Sequence, residues 1–406
     1  MKSLKISVIG LGYIGLPTAA ILANYGYSVA GMDVDKYAVN IINQGKVHII
    51  EPDLDAFVLS AVLAKRLQAF LKPQAGDVYI ICVPTPFHEA EGLPQPNIDH
   101  VLTATESIAD LVKPDDLIIL ESTSPVGTTE KMQDIFRNAG LNIDKLHIAY
   151  CPERVLPGKI LTELLENDRI VGGVTPEATK KVADFYRTFV RGKVLETDAK
   201  TAEMCKLTEN SFRDVNIAFA NELSIICDKE GINVWDLIQL ANRHPRVNIL
   251  QPGAGVGGHC IAVDPWFLVA QDYENSRLIR TARETNNFKT SWVIEKIKSR
   301  ALDIFKEKGV KPQIACLGLA FKPDIDDLRE SPALKVATSL INQGYNVVAI
   351  EPNIQSHSFI KLVDLDDVLR QDIILVLLVK HKEFVDQAIN DQFVSLEVLD
   401  FCGVLA

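Results

Sequence analysis

Apolar residues fall into two rhythms along this chain. Residues 6–9, 28–32, 78–83, 117–120 and 146–149 are short apolar runs bounded by glycine, proline or polar residues, the pattern of strands buried on both faces. Between them, 17–24 and 100–111 carry apolar residues at helical spacing and predict amphipathic helices. Strands alternating with helices predict an α/β fold with a doubly wound parallel sheet. From 199 to 231 the rhythm becomes one long helix with neither proline nor internal glycine, and 276–308 predicts a second helical block. The stretch between, 242–263, is rich in glycine, proline and asparagine and is expected to be an extended loop.

Near Gln313 the strand-and-helix rhythm restarts as an echo of the beginning. Residues 314–320 resemble 6–12, and 344–351 resemble 26–33, with an extra piece at 321–330 in the second copy. The predicted architecture is two Rossmann-like doubly wound lobes, 1–197 and 309–406, joined by a long central helix and helical region, 198–308.

Composition narrows the class. With 406 residues, 47% hydrophobic and 23% charged, the chain suits a globular enzyme of several domains. No apolar run approaches the roughly 18–20 residues needed to span a bilayer. The first residues lead into a strand without a signal-peptide core, so a cytoplasmic protein with no membrane partner is expected. A net charge of −11 argues against nucleic acid as a partner. Seven cysteines without C-x-x-C spacing indicate neither a disulfide framework nor a metal site.

Gly10-x-Gly12-x-x-Gly15 follows a strand and opens a helix, the context in which this spacing binds a dinucleotide. Gly10 permits the turn, Gly12 lets the backbone approach a pyrophosphate, and Gly15 lets helix meet strand. Asp33 ends the second strand, where a carboxylate accepts from ribose hydroxyls and repels a 2′-phosphate; NAD is expected rather than NADP. Thr85 and Thr123 end two other strands, beyond which ligands lie in such sheets, although both also suit turns and helix caps.

On the long helix Lys206, Asn210, Arg213 and Ile217 share a face. Such a face is ordinarily solvated. Here Phe212, Val215, Phe219 and Leu223 are expected to pack around it, which favours a site where Lys206 acts as base or oxyanion stabiliser. Arg243-His244-Pro245-Arg246 reads as an anion clamp, or else as a solvated basic patch. Cys260 follows Gly255, Gly257 and Gly258. Lone cysteines are mostly buried packing, but flexible glycines with His259 and Asp264 nearby suit an activated thiolate. Paired with a dinucleotide fingerprint, that thiol implies capture of an aldehyde as a thiohemiacetal, its oxidation to a thioester, and cleavage by water.

Tyr150-Cys151-Pro152-Glu153-Arg154-Val155-Leu156-Pro157-Gly158, the run from Lys206 to Arg213, the run from Asn242 to Asn248 and the run from Cys260 to Phe267 resemble the UDP-sugar 6-dehydrogenases, the UDP-glucose/GDP-mannose dehydrogenase family, over essentially the whole chain. The motifs are similar to its N-acetylhexosamine branch. The resemblance implies NAD-dependent four-electron oxidation of a UDP-N-acetylhexosamine at C6, supplying an aminouronic acid for surface polysaccharides. The manno epimer is implied first; the gluco epimer, or a non-catalytic UDP-sugar-binding protein, is the alternative. It implies Cys260 as nucleophile, Lys206 as proton carrier or oxyanion stabiliser, and Asn210 as an oxyanion donor. Asp264 would position water or Lys206, and Glu153 would assist thioester hydrolysis. Arg154, Val155, Lys206, Asn210, Arg213, His244, Arg246, Gly257 and Lys322 match substrate contacts. Tyr13, Ile14, Asp33, Thr85, Thr123 and Arg329 match NAD contacts. Pairing of subunits through the long helix implies a homodimer. Pro157 and Val263 depart from the glucose-oxidising branch, which has glutamate and lysine there, so no water-activating role passes to position 157.

Overall fold

A computed structural model describes residues 4–88, 93–369, 373–389 and 391–406. The chain forms two compact units, Met1–Thr208 and Glu209–Ala406. In the first, strands β1 (Lys5–Ile9), β2 (Ser28–Met32), β3 (Leu67–Phe70), β4 (Val78–Ile81), β5 (Leu117–Leu120), β6 (His147–Tyr150), β7 (Arg169–Gly173) and β8 (Val194–Asp198) form one sheet in the order β8-β7-β6-β5-β4-β1-β2-β3. Its first six strands run 3-2-1-4-5-6 in space, all parallel, which is the dinucleotide-binding arrangement.

Two expectations change. The sheet is not wholly parallel, because β7 pairs antiparallel with β6 through Tyr150↔Gly172. The helix Ile160–Glu166 between them packs on helix α1 (Gly15–Asn24) instead of crossing the sheet, so the chain re-enters at the end it left. Nor is α1 amphipathic. Gly15 through Ala23 are all buried, since the helices Leu54–Leu63 and Ile160–Glu166 cover the faces that the sheet leaves. Downstream lie α2 (Thr128–Asn138) and α3 (Ala199–Glu230), the long helix at the expected position, which runs from the first unit into the second.

The second unit adds α4 (Val234–Ala241), α5 (Asp264–Gln271) and α6 (Arg277–Lys308), with no regular element between 242 and 263. Strands β9 (Gln313–Leu317), β10 (Val347–Ile350), β11 (Ile373–Leu377) and β12 (Glu397–Asp400) form a parallel sheet in the order β10-β9-β11-β12. The internal echo is carried into hydrogen bonding. Gly10 N–H donates to Met32 O and Gly318 N–H to Ile350 O, both at 2.8 Å, with φ of +90° and +94° that favour glycine. Leu11 N–H donates to the Asp33 carboxylate (2.9 Å) as Leu319 N–H does to Glu351 (2.7 Å). Among the described residues no helix is long and apolar enough to cross a membrane.

Candidate active site

The turn after β1 meets the demands of a dinucleotide. A Cβ on Gly10 would lie 2.5 Å from the Cys82 carbonyl oxygen, so the turn tolerates no side chain there. A Cβ on Gly12 would meet nothing within 4 Å; the space above it is open, beside the first turn of α1, where Leu16 N–H bonds Gly12 O. That open cradle at a helix N-terminus suits a pyrophosphate. Tyr13 is exposed and Ile14 half-buried at the same rim. Asp33 accepts from Leu11 N–H through one oxygen and from Asp35 N–H (2.9 Å) through the other, which fixes its carboxylate at the end of β2. Thr85 and Thr123 are brought together, the Thr85 hydroxyl donating to the Thr123 carbonyl at 2.6 Å.

Glu203 was not among the expected residues. Fully buried on α3, it accepts from Gly127 N–H (2.6 Å), Thr129 N–H (2.8 Å) and the Thr129 hydroxyl (2.6 Å). It therefore fills the N-terminus of α2 from within and ties α3 to the loop that begins at Thr123.

Helix α3 departs from a simple amphipathic pattern. Beside Ala202, Leu207, Ala218, Ala220 and Cys227 it buries many polar residues: Glu203, Lys206, Asn210, Ser211, Asp214, Asn221 and Ser224 are all less than one-tenth exposed. Its exposed positions carry an apolar stripe, with Met204, Phe212, Phe219 and Ile226 at 42%, 68%, 52% and 51% exposure. The expected packing of Phe212 and Phe219 is thus corrected. Arg213 is also exposed, while Lys206 and Asn210 are buried.

In the first unit Lys206 meets Glu153. Its ammonium donates to the Glu153 carbonyl at 2.7 Å and lies 3.5 Å from the carboxylate, whose other oxygen accepts from Val155 N–H. Lysine and carboxylate thus form a close ion pair, both largely buried. Arg154 donates to Asp168 O at 3.0 Å beside them.

In the second unit Asn210 donates to Asp264 at 2.5 Å, and both are buried. The Cys260 carbonyl accepts from Asp264 N–H (2.8 Å) and Val263 N–H (3.0 Å), so Asn210 is anchored to the turn that Cys260 opens. Cys260 itself is half-buried. His259 is exposed and lies in the field of Asp327. Burial pushes the Cys82, Cys151, Cys316 and Cys402 thiols up, Cys151 and Cys316 to about 12, as expected of packing cysteines.

The glycines around Cys260 serve close approach and not flexibility. A Cβ on Gly257 would lie 2.6 Å from the Glu330 carbonyl oxygen, and one on Gly258 would lie 2.8 Å from the Phe321 ring. Gly258 N–H donates to Arg329 O at 3.1 Å. Buried side chains hold the rest: Asn221 accepts from Gly253 N–H (2.9 Å), Thr290 donates to Ala254 O (2.9 Å), and Arg283 reaches Ile261 O (3.4 Å). Arg283, Asn221 and Thr290 carried no sequence signal, because polar residues at helical spacing read as a solvated face. Arg329 forms a two-pronged ion pair with Asp327 (2.6–3.0 Å), and Lys322 is half-buried on the same segment. His244 and Arg246 are exposed in the turn after α4, where His244 Nδ1 accepts from Arg246 N–H at 3.4 Å.

Residues 4–190 match the NAD binding domain, 200–288 the central domain and 315–405 the UDP binding domain of one family. The chain belongs to the UDP-glucose/GDP-mannose dehydrogenase family. NAD is accordingly its cofactor, and a UDP-sugar its substrate class. This dehydrogenase is 53% identical over 419 residues, 98% of each chain, to the UDP-N-acetyl-D-mannosamine dehydrogenase of Yersinia pestis. It is 50% identical over 413 residues, 98% of its length and 96% of the relative's, to the NDP-N-acetyl-D-galactosaminuronic acid dehydrogenase of Ralstonia nicotianae. The solved structure of UDP-D-ManNAc dehydrogenase from Pyrococcus horikoshii matches with a TM-score of 0.89 at 38% identity, over 99% of this chain and 96% of that one.

Proposed function

We propose that this dehydrogenase oxidises C6 of UDP-N-acetyl-D-mannosamine to the carboxylate, using two NAD and one water and releasing two NADH. The observation that carries the reading is Cys260 at the head of a turn held by the buried Asn210–Asp264 bond. Bound NAD supplies the hydride acceptor. In the first step a base takes the C6 hydroxyl proton as hydride leaves C6, giving an aldehyde. Lys206, against Glu153, suits that proton relay. The Cys260 thiolate then adds to the aldehyde carbon, with Asn210 and Lys206 stabilising the oxyanion. A second hydride leaves the thiohemiacetal, and water, assisted by Glu153, breaks the C–S bond of the thioester to give carboxylate and free thiolate.

Exposed His244, Arg246 and Arg213, with Arg154, Val155, Gly257 and Lys322, suit contacts to the UDP-sugar. Gly10, Gly12, Tyr13, Ile14, Gly15, Asp33, Thr85, Thr123 and Arg329 suit contacts to NAD. The functional parts are 1–197, 198–308 and 309–406, in a cytoplasmic homodimer joined through α3. NADH yield on UDP-N-acetylmannosamine and its gluco and galacto counterparts tests the substrate. Two NADH per manno epimer, with little from the others, is expected. Turnover confined to another epimer, or a yield of one with free aldehyde, would overturn the assignment. The galacto counterpart is included because of the 50% identity to the Ralstonia enzyme.

A further inference from the structure

We propose that Arg283 is a positioning residue for the Cys260 thiol, acting through the carbonyl of Ile261. Its side chain, 2% exposed, extends from α6. Nη1 donates to Asp214 at 2.6 Å and reaches Ile261 O at 3.4 Å, while Nη2 donates to exposed Asn287 at 2.9 Å. Asp214 is held in turn by Asn286 at 2.8 Å, and Asn286 by Asn221 at 2.9 Å. Asn221 also grips Gly253 N–H, so one connected set of buried side chains holds the Cys260 loop at both ends.

The Ile261 carbonyl lies on the peptide plane after the one whose carbonyl, that of Cys260, accepts from Val263 and Asp264. Two successive planes are therefore held, and Cys260 is attached to the first. On the other side Gly258 N–H is bonded to Arg329 O, next to Glu330, whose charge acts on the same guanidinium. A core ion pair alone does not explain this arrangement. Well-packed apolar residues would join α3 to α6 at least as stably, because desolvating two charges offsets their attraction. What apolar residues lack is a directional donor for a loop carbonyl. A misplacement on the order of 1 Å at a reacting group costs about a hundredfold in rate.

The proposal rests on the role given above to Cys260, and it concerns the aldehyde step more than the first hydride transfer, which does not use the thiol. Arg283→Lys keeps a charge for Asp214 but loses the planar fork. In that variant, without substrate, iodoacetamide should alkylate Cys260 faster than in the wild type, read by peptide mass mapping, while Cys205 and Cys402 keep their rates. With substrate, aldehyde oxidation should slow by about ten- to a hundredfold, and NADH yield should fall below two as free aldehyde escapes. Wild-type alkylation at Cys260 with a yield of two would overturn the proposal. So would equal acceleration at all three thiols, the mark of general loosening. If Arg283→Lys does not fold, Asn287→Ala removes only an exposed acceptor of Nη2 and carries the same test in the same direction; wild-type behaviour there overturns the proposal. A wild-type protein inactive on every UDP-N-acetylhexosamine would instead refute the substrate reading, and the alkylation comparison would still decide the role of Arg283.

Discussion

The Asp33 carboxylate has little freedom to turn. One oxygen is held by Leu11 N–H within the glycine turn and the other by Asp35 N–H, so its charge stays at the end of β2. A 2′-phosphate there would face a fixed like charge, which costs several kcal/mol. The expected outcome is a kcat/KM for NAD at least about a hundredfold above that for NADP. Asp33→Ser should narrow the gap, and equal efficiency with both cofactors in the wild type would remove Asp33 from this role. The second lobe shows what the same position becomes when it is closed. Glu351 accepts from Leu319 N–H, Ala320 N–H and His381 Nε2 and is buried. Burial alone would raise its pKa, but the His381 bond and the two backbone donors outweigh it and hold it at about 2. With its lone pairs used internally, Glu351 serves the fold where Asp33 remains half-open to a ligand.

Between elements, the polar seam of α3 and α6 has a measurable consequence. Lys289 on α6 is buried, donates to Ser224 at 2.7 Å and lies 3.9 Å from the Trp292 ring centre. Burial brings its pKa down from 10.5 to about 7, against the attraction of Asp228. A folded-state pKa below the unfolded one means that the fold disfavours the charged form. The cost is fully present below about pH 7 and is relieved as pH rises from 7 toward 10.5. Lys289→Met should therefore raise Tm by roughly 2–6 °C at pH 7, with the gain shrinking toward pH 10. A gain independent of pH would show that packing, not charge, is responsible. This seam was hidden in the sequence for a definite reason. The long helix could be placed within a residue because it lacks breakers, and the lobes because their glycine turns repeat. The inward direction of its polar side depends on partners far along the chain, such as Arg283 for Asp214, and no local spacing reports them. Strands β7 and β8 escaped for a related reason, since Arg-Ile-Val-Gly-Gly and Val-Leu-Glu-Thr-Asp lack an apolar run. Cys260, Lys206, Asn210 and Asp264 were legible as candidates through the glycine loop, the shared helix face and motif resemblance, whereas the side chains that grip the Cys260 loop were not.

For the whole molecule, the exposed side of α3 calls for a partner. Met204, Phe212, Phe219 and Ile226 recur at intervals of seven or eight residues, which places them on one stripe about 33 Å long at 1.5 Å per residue. Their exposures of 42% to 68% put large apolar surface in water on a helix whose other side is already buried. A stripe with a near-heptad period fits a second helix of the same kind, so a twofold pairing of α3 with its copy is the expected assembly. Buried aromatic anchors at such interfaces contribute about 2 kcal/mol each, so losing both Phe212 and Phe219 should weaken pairing by roughly a thousandfold. The double variant Phe212→Glu, Phe219→Glu should sediment as a 44.9 kDa monomer at micromolar concentration, where the wild type is expected to sediment as a dimer. Neither substitution touches the buried polar side, so the far-ultraviolet circular dichroism should not change. A wild type that remains monomeric at those concentrations would leave the stripe without its proposed partner, and a variant that still pairs would move the interface off α3.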